Sequence, residues 1–347
     1  MHSNSRLGEP QIYAILCPRM KLSVSKNINL LSIAFLLIFL GFNGAQQYVT
    51  TFFSQANLPN LGFQSLILVY LFFTLSDPLA SVFVSKFGSK KAMLTGVIFY
   101  GLFILSLPTK SSVVIYLASI LIGIGASLLW VGQNSYLVRA SDRKSYRENS
   151  GYFNMLLMAG SALGVILLGF LITRISFEQS FLIASIFSLF SIFLIVPLKD
   201  LRTESLGNHF NLIKHAITSK TALQLSTVWF SFSIVFGFAI GLIPIQLKNT
   251  LGISYVGLSS LFYIMPMLLS YFLGKLSDIK GRNLMLAMSF ILCIAGLGFL
   301  YFYTNPITLT IGLVLVSLSY AIISPIRFAL VGDVTTNKNL DYLTGLF

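Results

Sequence analysis

Gly274-Lys275-Leu276-Ser277-Asp278-Ile279-Lys280-Gly281-Arg282 joins two long apolar runs, and its meaning comes from an echo upstream. After an earlier apolar run stands Phe87-Gly88-Ser89-Lys90-Lys91, whose glycine lies 193 positions before Gly281. A second pair of landmarks keeps nearly the same spacing, because Gly151-Tyr152-Phe153 and the final Gly345-Leu346-Phe347 are 194 apart. Two unrelated landmarks that share one period signal an internal duplication. Six apolar runs precede residue 198 and fill one period, so the chain reads as a six-helix half followed by a second copy. That copy reaches only the start of its fifth helix, roughly 47 residues short of the first. The second half is therefore expected to be truncated after four helices, with its last two missing.

The runs themselves belong in a lipid bilayer. Of 347 residues, 56% are hydrophobic and 10% charged, whereas soluble domains carry about 25% charge. Such a chain cannot cover its surface in water. Spans are expected at 28–53, 64–86, 91–108, 112–137, 151–173, 178–197, 221–247, 254–276, 283–303 and 307–331. Each is near the roughly 20 residues that a crossing helix needs. The expected fold class is all-α and integral to the membrane: a two-half bundle of about ten transmembrane helices. Residues 1–26 form a leader, 27–197 the six-helix half, 198–220 a linker and 221–347 the second half. Within the linker, Phe210, Leu212 and Ile213 suit a short helix lying on the membrane surface.

A formal net charge of +13 raises the question of a nucleic-acid partner, and its placement answers it. Nineteen of the 23 basic residues fall in the leader or in alternate loops, among them Lys86, Lys90, Lys91, Arg139, Arg147, Lys199, Lys280 and Arg282. The intervening loops hold Lys110, Arg174 and Lys248, and Arg327 lies inside a span. This is the positive-inside pattern of a multi-pass protein with a cytoplasmic N-terminus, not the footprint of a nucleic-acid binder. Cys17 and Cys293 are far apart, and His2, His209 and His215 lie outside the spans. Neither a disulfide framework nor a metal-ligand spacing follows, and no cofactor is expected.

In the loop at 274–282, Gly274 permits close approach of a neighbouring backbone, Asp278 suits a neighbouring helix N-terminus, Gly281 makes the tight turn and Arg282 holds the basic side. The upstream copy is eroded, with Ser81 for the first glycine, Ser85 for the aspartate and Ser89 for an arginine, while Gly88 and Lys90 remain. This pair resembles the loop signature of the major facilitator superfamily, where it latches the outward-open state. Gly123-Ile124-Gly125-Ala126-Ser127-Leu128-Leu129-Trp130 with Gln133 and Tyr136, Asn149-Ser150-Gly151, and Gly41-Phe42-Asn43-Gly44-Ala45-Gln46-Gln47-Tyr48 are similar to its Unc-93-like branch. The resemblance covers roughly residues 27–347 and implies a transporter fold in which helices one, four, seven and ten line a central cavity. That branch also includes regulators and trafficking partners of other membrane proteins.

Polar residues within spans are the candidate site. Asn43, Gln46 and Gln47 share one helical face, as do Trp130, Gln133 and Asn134. With Asn154, Trp229, Tyr320, Ser324 and Arg327 they would surround the cavity that the resemblance implies, or else serve as hydrogen bonds that hold the bundle. Arg327 stands opposite Gln133 by the repeat offset. It suits either an anionic group of a substrate or snorkelling to the basic surface. Asp77, directly before Pro78, is the carboxylate deep in a span. It is either a site of proton coupling, since burial penalises the charged form, or an organiser of the backbone at the proline break. Gly160/Gly164 and Gly237/Gly241 are Gly-x-x-x-Gly pairs expected at close helix crossings. Nucleotide loops and nucleophile–base arrangements do not appear, so enzymatic chemistry and ATP-driven transport are not expected. The expectation is a secondary transporter of a small solute in a lipid bilayer, and the alternative is a non-transporting partner of another membrane protein.

Overall fold

The ends of the helices are written in local chemistry. Ser25 caps the first helix, its hydroxyl accepting from the Ile28 N–H at 3.4 Å. Asn57, in the left-handed region at φ 59°, turns the chain, and Pro59 opens the second helix. Proline suits that first position because its φ is preset and the missing N–H would have been unpaired there. The second helix thus starts at 59, ahead of the expected 64. Ser176 and Gln179 form a reciprocal capping box at the sixth helix, satisfying two otherwise orphaned backbone donors.

The computed structural model describes residues 25–141, 146–201, 220–302 and 305–334, with backbone alone described at 146–148, 220–225, 231–232, 271, 275, 278 and 327–334. Residues 1–24 of the expected leader, the surface helix at Phe210–Ile213 and the closing Gly345-Leu346-Phe347 lie outside the described residues. The last two positions assigned to the leader, Ser25 and Lys26, cap and open the first helix instead. The first half comprises α1 (Lys26–Gln55), α2 (Pro59–Phe87), α3 (Ser89–Ser106), α4 (Ser112–Ala140), α5 (Tyr146–Ile172) and α6 (Phe177–Phe190, extended by Ile192–Ile195). In the second half, α7 runs Lys220–Gly237, passes through a π turn at Phe238–Leu242 and continues Ile243–Leu251. A 3-10 segment Ile253–Ser260 leads into α8 (Leu261–Lys280), followed by α9 (Arg282–Phe302) and α10 (Pro306–Val334). Among the described residues, ten helical segments are long and apolar enough to cross a membrane. The chain is thus an all-helical, multi-pass membrane protein. The bundle end carrying Lys86, Lys90, Lys91, Lys280 and Arg282 is its basic end. The turns after α1, α3, α5 and α7 form the far end.

The period seen in the sequence reappears as geometry. Gly88 and Gly281 adopt nearly one conformation, φ 90° and 92°. The Gly88 N–H donates to the Val84 carbonyl at 2.9 Å and the Gly281 N–H to the Ser277 carbonyl at 3.1 Å. The Gly88 and Gly281 carbonyls in turn accept from the Ala92 and Met285 N–H groups, each at 3.3 Å. All of these pairs differ by 193 positions. Helix packing repeats as well: α4 packs on α2 and α3, and α10 packs on α8 and α9. Gly96 meets the Gly125 backbone between α3 and α4. At the matching positions of α9 and α10, the Ser289 hydroxyl donates to the Ser319 carbonyl at 3.0 Å.

Close crossings divide differently from the expectation. Gly160 and Gly164 of α5 press against the backbone of Leu36 and Leu40 on α1, where a Cβ would strike carbonyl oxygens. Gly41 and Gly44 return the fit from the α1 side, against Ala184 and Gly164. Gly237 and Gly241 make no such crossing: a Cβ at 237 meets nothing within 4 Å, and one at 241 only the Phe63 ring at 3.9 Å. They flank and enter the π turn of α7 instead. The Gly-x-x-x-Gly spacing is a necessary feature of a tight crossing, and the partner helix decides whether one forms.

Candidate functional site: the seam between the halves

On the far-end half of α1, the polar face divides among three neighbours. Asn43 donates through Nδ2 to the Ser161 hydroxyl of α5 at 2.7 Å, so it binds two helices of one half together. Gln46 donates through Nε2 to the Tyr70 hydroxyl of α2 at 2.7 Å, again within the half. Gln47, one residue on, crosses to the other half: its Nε2 donates to the Ala239 carbonyl at 2.8 Å, and its Oε1 accepts from the Tyr263 hydroxyl at 3.5 Å. One turn further, the Thr50 hydroxyl donates to the Gly241 carbonyl at 3.1 Å, and Lys248 Nζ reaches the Ser54 hydroxyl at 3.4 Å. Four hydrogen bonds therefore join the halves along α1 and its partners.

The carbonyls that receive these bonds exist because α7 is broken. The Ile243 N–H reaches back five residues to the Phe238 carbonyl. The next donor in that register would be residue 244, which is a proline and has no N–H. The Ala239 carbonyl is left without its backbone donor, and a buried carbonyl in that state is costly in a membrane interior. Gln47 supplies the missing donor from the other half. A π turn within a helix commonly marks such a functional site.

Beside this polar line the seam is aromatic. Tyr320 lies against Phe262 with ring centroids 4.1 Å apart and stacks on Phe236 at 6.2 Å. Phe236 also meets Tyr70 of the first half edge-on at 6.1 Å. A second contact joins the halves where α5 packs on α8 and its 3-10 lead-in, with Gly169 and Gly257 facing each other beside the Tyr48 hydroxyl.

Other expected site residues distribute as follows. Trp130 packs on Phe35 and Phe39 of α1, 6.1 and 5.4 Å between centroids, inside the first half. Gln133 is buried, and its Oε1 has no hydrogen-bond partner among the described residues. Asn134, Asn154 and Trp229 are half-buried, and Ser324 is buried. The side chains of Arg327 and Asp278 lie outside the described residues, although both positions belong to helices. Asp77 lies beside Ser127 of α4, whose hydroxyl donates to the Phe73 carbonyl at 2.6 Å. Of the loop residues, Gly274 sits against the Pro325 ring of α10, at 3.3 Å from a built Cβ. Lys90 and Arg282 are half-buried at the basic end, where Gly88 and Gly281 turn the chain. Among the described residues there is no group of three or more His, Cys, Asp or Glu side chains placed to hold a metal ion.

Sequence reasoning missed Thr50, Tyr70, Phe236, Phe262 and Tyr263. The usable signal was Pro244 inside an apolar run: a proline there frees a carbonyl, which calls for a donor from a neighbouring helix without saying which one.

Ten membrane helices in two repeated halves, joined along a polar and aromatic seam, define a carrier-type membrane bundle. The profile of the Major Facilitator Superfamily matches residues 31–347, and the chain belongs to that superfamily. Its similar curated relatives carry Unc-93-like names. "UNC93-like protein 3" of Arabidopsis thaliana is 36% identical over 141 residues, 41% of this chain and 28% of the relative. "UNC93-like protein MFSD11" of Xenopus tropicalis is 30% identical over 141 residues, 40% of this chain and 32% of the relative. "Putative potassium channel regulatory protein unc-93" of Caenorhabditis elegans is 29% identical over 175 residues, 47% of this chain and 24% of the relative. The matched stretches thus span a quarter to a third of these relatives' length. Among solved structures, a peptide transporter POT in complex with sulfate aligns with TM-score 0.70 at 13% identity, covering 98% of this chain and 90% of that one. A POT family transporter in complex with a thioalcohol-conjugated peptide aligns with TM-score 0.72 at 11% identity, covering 94% and 89%. Likeness at that identity concerns the fold alone.

Proposed function

We propose that the protein is a secondary transporter that moves a small solute by alternating access, its two halves rocking about the seam. The observation that carries this reading is the seam itself: repeated halves meet through side-chain bonds to a broken helix, a junction that can open without unfolding either half. Gln133 adds support, because a buried amide oxygen without a partner is a group awaiting a donor. Arg327, at the matching depth of α10, is the proposed anchor for an anionic group of the solute. Asp77 is the proposed coupling site, and the loops around Gly88, Lys90, Gly274, Asp278, Gly281 and Arg282 are the proposed gates at the basic end. Basic residues concentrated at that end support a cytoplasmic location for it, with the N-terminus proposed on the same side, by the positive-inside rule.

The test is transport by the purified protein in liposomes. A thermal-shift screen against amino acids, sugars, organic acids and nucleosides selects solutes, since a ligand stabilises the state it binds. Radiolabelled hits are then followed across the membrane. Substrate-dependent flux that falls at least tenfold on Arg327→Ala or Gln133→Ala is the expected result. Absence of flux for every stabilising solute, together with indifference to both substitutions, refutes the reading.

The relatives' names favour a second reading, that of a non-transporting regulator or escort of another membrane protein, since one relative is called a putative channel regulatory protein. A defined membrane partner that co-purifies undiminished with the Gln47→Ala, Gln133→Ala and Arg327→Ala variants supports this second reading over the first.

A further inference from the structure

The break in α7 and the amide of Gln47 form a single device, and it rests on the alternating-access reading above. With the Phe238 carbonyl served by Ile243, the Ala239 carbonyl would be served by Pro244 in the five-residue register of the turn, as the Ile240 carbonyl would in the four-residue register, and proline has no N–H to give. Gln47 meets that carbonyl at 2.8 Å from the opposite half. It is itself held by the Tyr263 hydroxyl at 3.5 Å, so both polar ends of the amide are committed to the second half. Gln47 is only 1% exposed, as is Tyr263.

The neighbours on the same seam differ in kind. Thr50 donates to the Gly241 carbonyl, whose four-on and five-on residues, Ile245 and Gln246, both carry an N–H. Losing Thr50 therefore leaves an acceptor with two backbone alternatives, whereas losing Gln47 leaves only the Ile243 N–H, which is already engaged by the Phe238 carbonyl. Gln46, adjacent in sequence, bonds Tyr70 inside its own half and does not bridge.

We infer that Gln47 is the release element of the far end: its amide substitutes in trans for the hydrogen bond that Pro244 deletes, and the far end stays closed while that substitution holds. A side chain on one half completing the backbone of the other makes closure conditional on one exchangeable bond. The opened state must offer the Ala239 carbonyl another donor, from water or from an N–H or O–H of the solute, since an unsatisfied carbonyl does not persist at that depth. The fold thereby couples opening of the far end to entry of a hydrogen-bond donor into the seam.

Epistasis tests this directly. Spin labels placed by Asn60→Cys and Ser254→Cys, exposed positions on the far-end turns of the two halves, report the opening by pulsed dipolar distance measurement. The protein is the full chain in lipid nanodiscs with Cys17 and Cys293 replaced by serine. Gln47→Met keeps the size of the side chain and removes the donor. It is expected to lower the closed-to-open ratio about threefold or more, the factor carried by one intramembrane hydrogen bond. Thr50→Val, at the bond with an alternative, shifts the ratio by less. In a Pro244→Ala background the backbone N–H returns to the Ala239 carbonyl, and Gln47→Met then shifts the ratio by well under twofold. An unchanged ratio on Gln47→Met, or an equal loss in both backgrounds, overturns the inference. Should the shift and its rescue appear in a protein that moves no solute, the release element stands and the transport reading falls. Should flux be present while the distances ignore Gln47, the reverse holds.

Discussion

Alanine at Gly164 should loosen the joint between α1 and α5 on which the seam is mounted. A Cβ at 164 would be built into the carbonyl oxygen, carbonyl carbon and Cα of Leu40, and one at 160 into the same atoms of Leu36. None of these is the tip of a flexible side chain, so the helices must part. Overpacking a filled interior costs about 1–3 kcal/mol, and rigid backbone on both sides puts this site at the upper end. A gap of about 0.5–1 Å also forfeits a quarter to a half of each dispersion contact across the joint. Alanine recovers about 1 kcal/mol over glycine in a helix interior, leaving a net loss of about 2 kcal/mol for Gly164→Ala. The double variant with Gly160→Ala should lose less than the sum, because one separation relieves both clashes. Gly151→Ala is the control: it lies on the same helix with nothing within 4 Å of its built Cβ, and so should gain up to about 1 kcal/mol. Equilibrium unfolding in mixed micelles, followed by the fluorescence of Trp130 and Trp229, reads the differences. If Gly151→Ala and Gly164→Ala shift stability with one sign and similar size, close backbone contact is not what these glycines provide.

Three further outcomes are expected. Gly88→Ala and Gly281→Ala should each cost about 1–3 kcal/mol, because φ near +90° with an extended ψ is a region that side chains avoid. Losses of that size at both sites in the same unfolding assay would mark the two turns as copies, with any excess at Gly88 coming from the Asp200 carboxylate that its Cβ would meet. Asn43→Leu and Ser161→Ala should be non-additive, with a coupling of about 0.6 kcal/mol in a double-mutant cycle, whereas additive losses would deny the bond between α1 and α5. Lys110 Nζ meets the Glu178 carboxylate at 2.8 Å, but these side chains are 44% and 37% exposed. Lys110→Met should therefore cost no more than about 1 kcal/mol, and less still as salt is raised.

Much of the fold was legible in the chain. Gly88 and Gly281 were readable as turns because a glycine between a long apolar run and a basic cluster has few other uses, and their spacing exposed the duplication. Membrane class and helix number followed from hydropathy, since a lipid interior admits helices of about 20 apolar residues and little else. The candidate site was only half legible. Asn43, Gln46 and Gln47 were recognisable as polar groups on one face, but nothing along the sequence separates the one that crosses to the other half from the two that do not. Helical spacing fixes the direction of a side chain, not the identity of the helix waiting there.

The same division holds for the glycines. Gly160/Gly164 and Gly237/Gly241 share one spacing, yet the first pair lies against α1 and the second belongs to a π turn with open space around it. Sequence by itself determined the spans, the basic end and the repeat, because these depend on transfer of each segment between water and lipid and on chemistry local to a turn. Tertiary structure decided which carbonyl Pro244 orphaned, which amide reached it and which halves were thereby joined. Those outcomes depend on contacts between residues 192 positions apart, as Gln47 and Ala239 are, and only the packing of the helices brings them within hydrogen-bond distance.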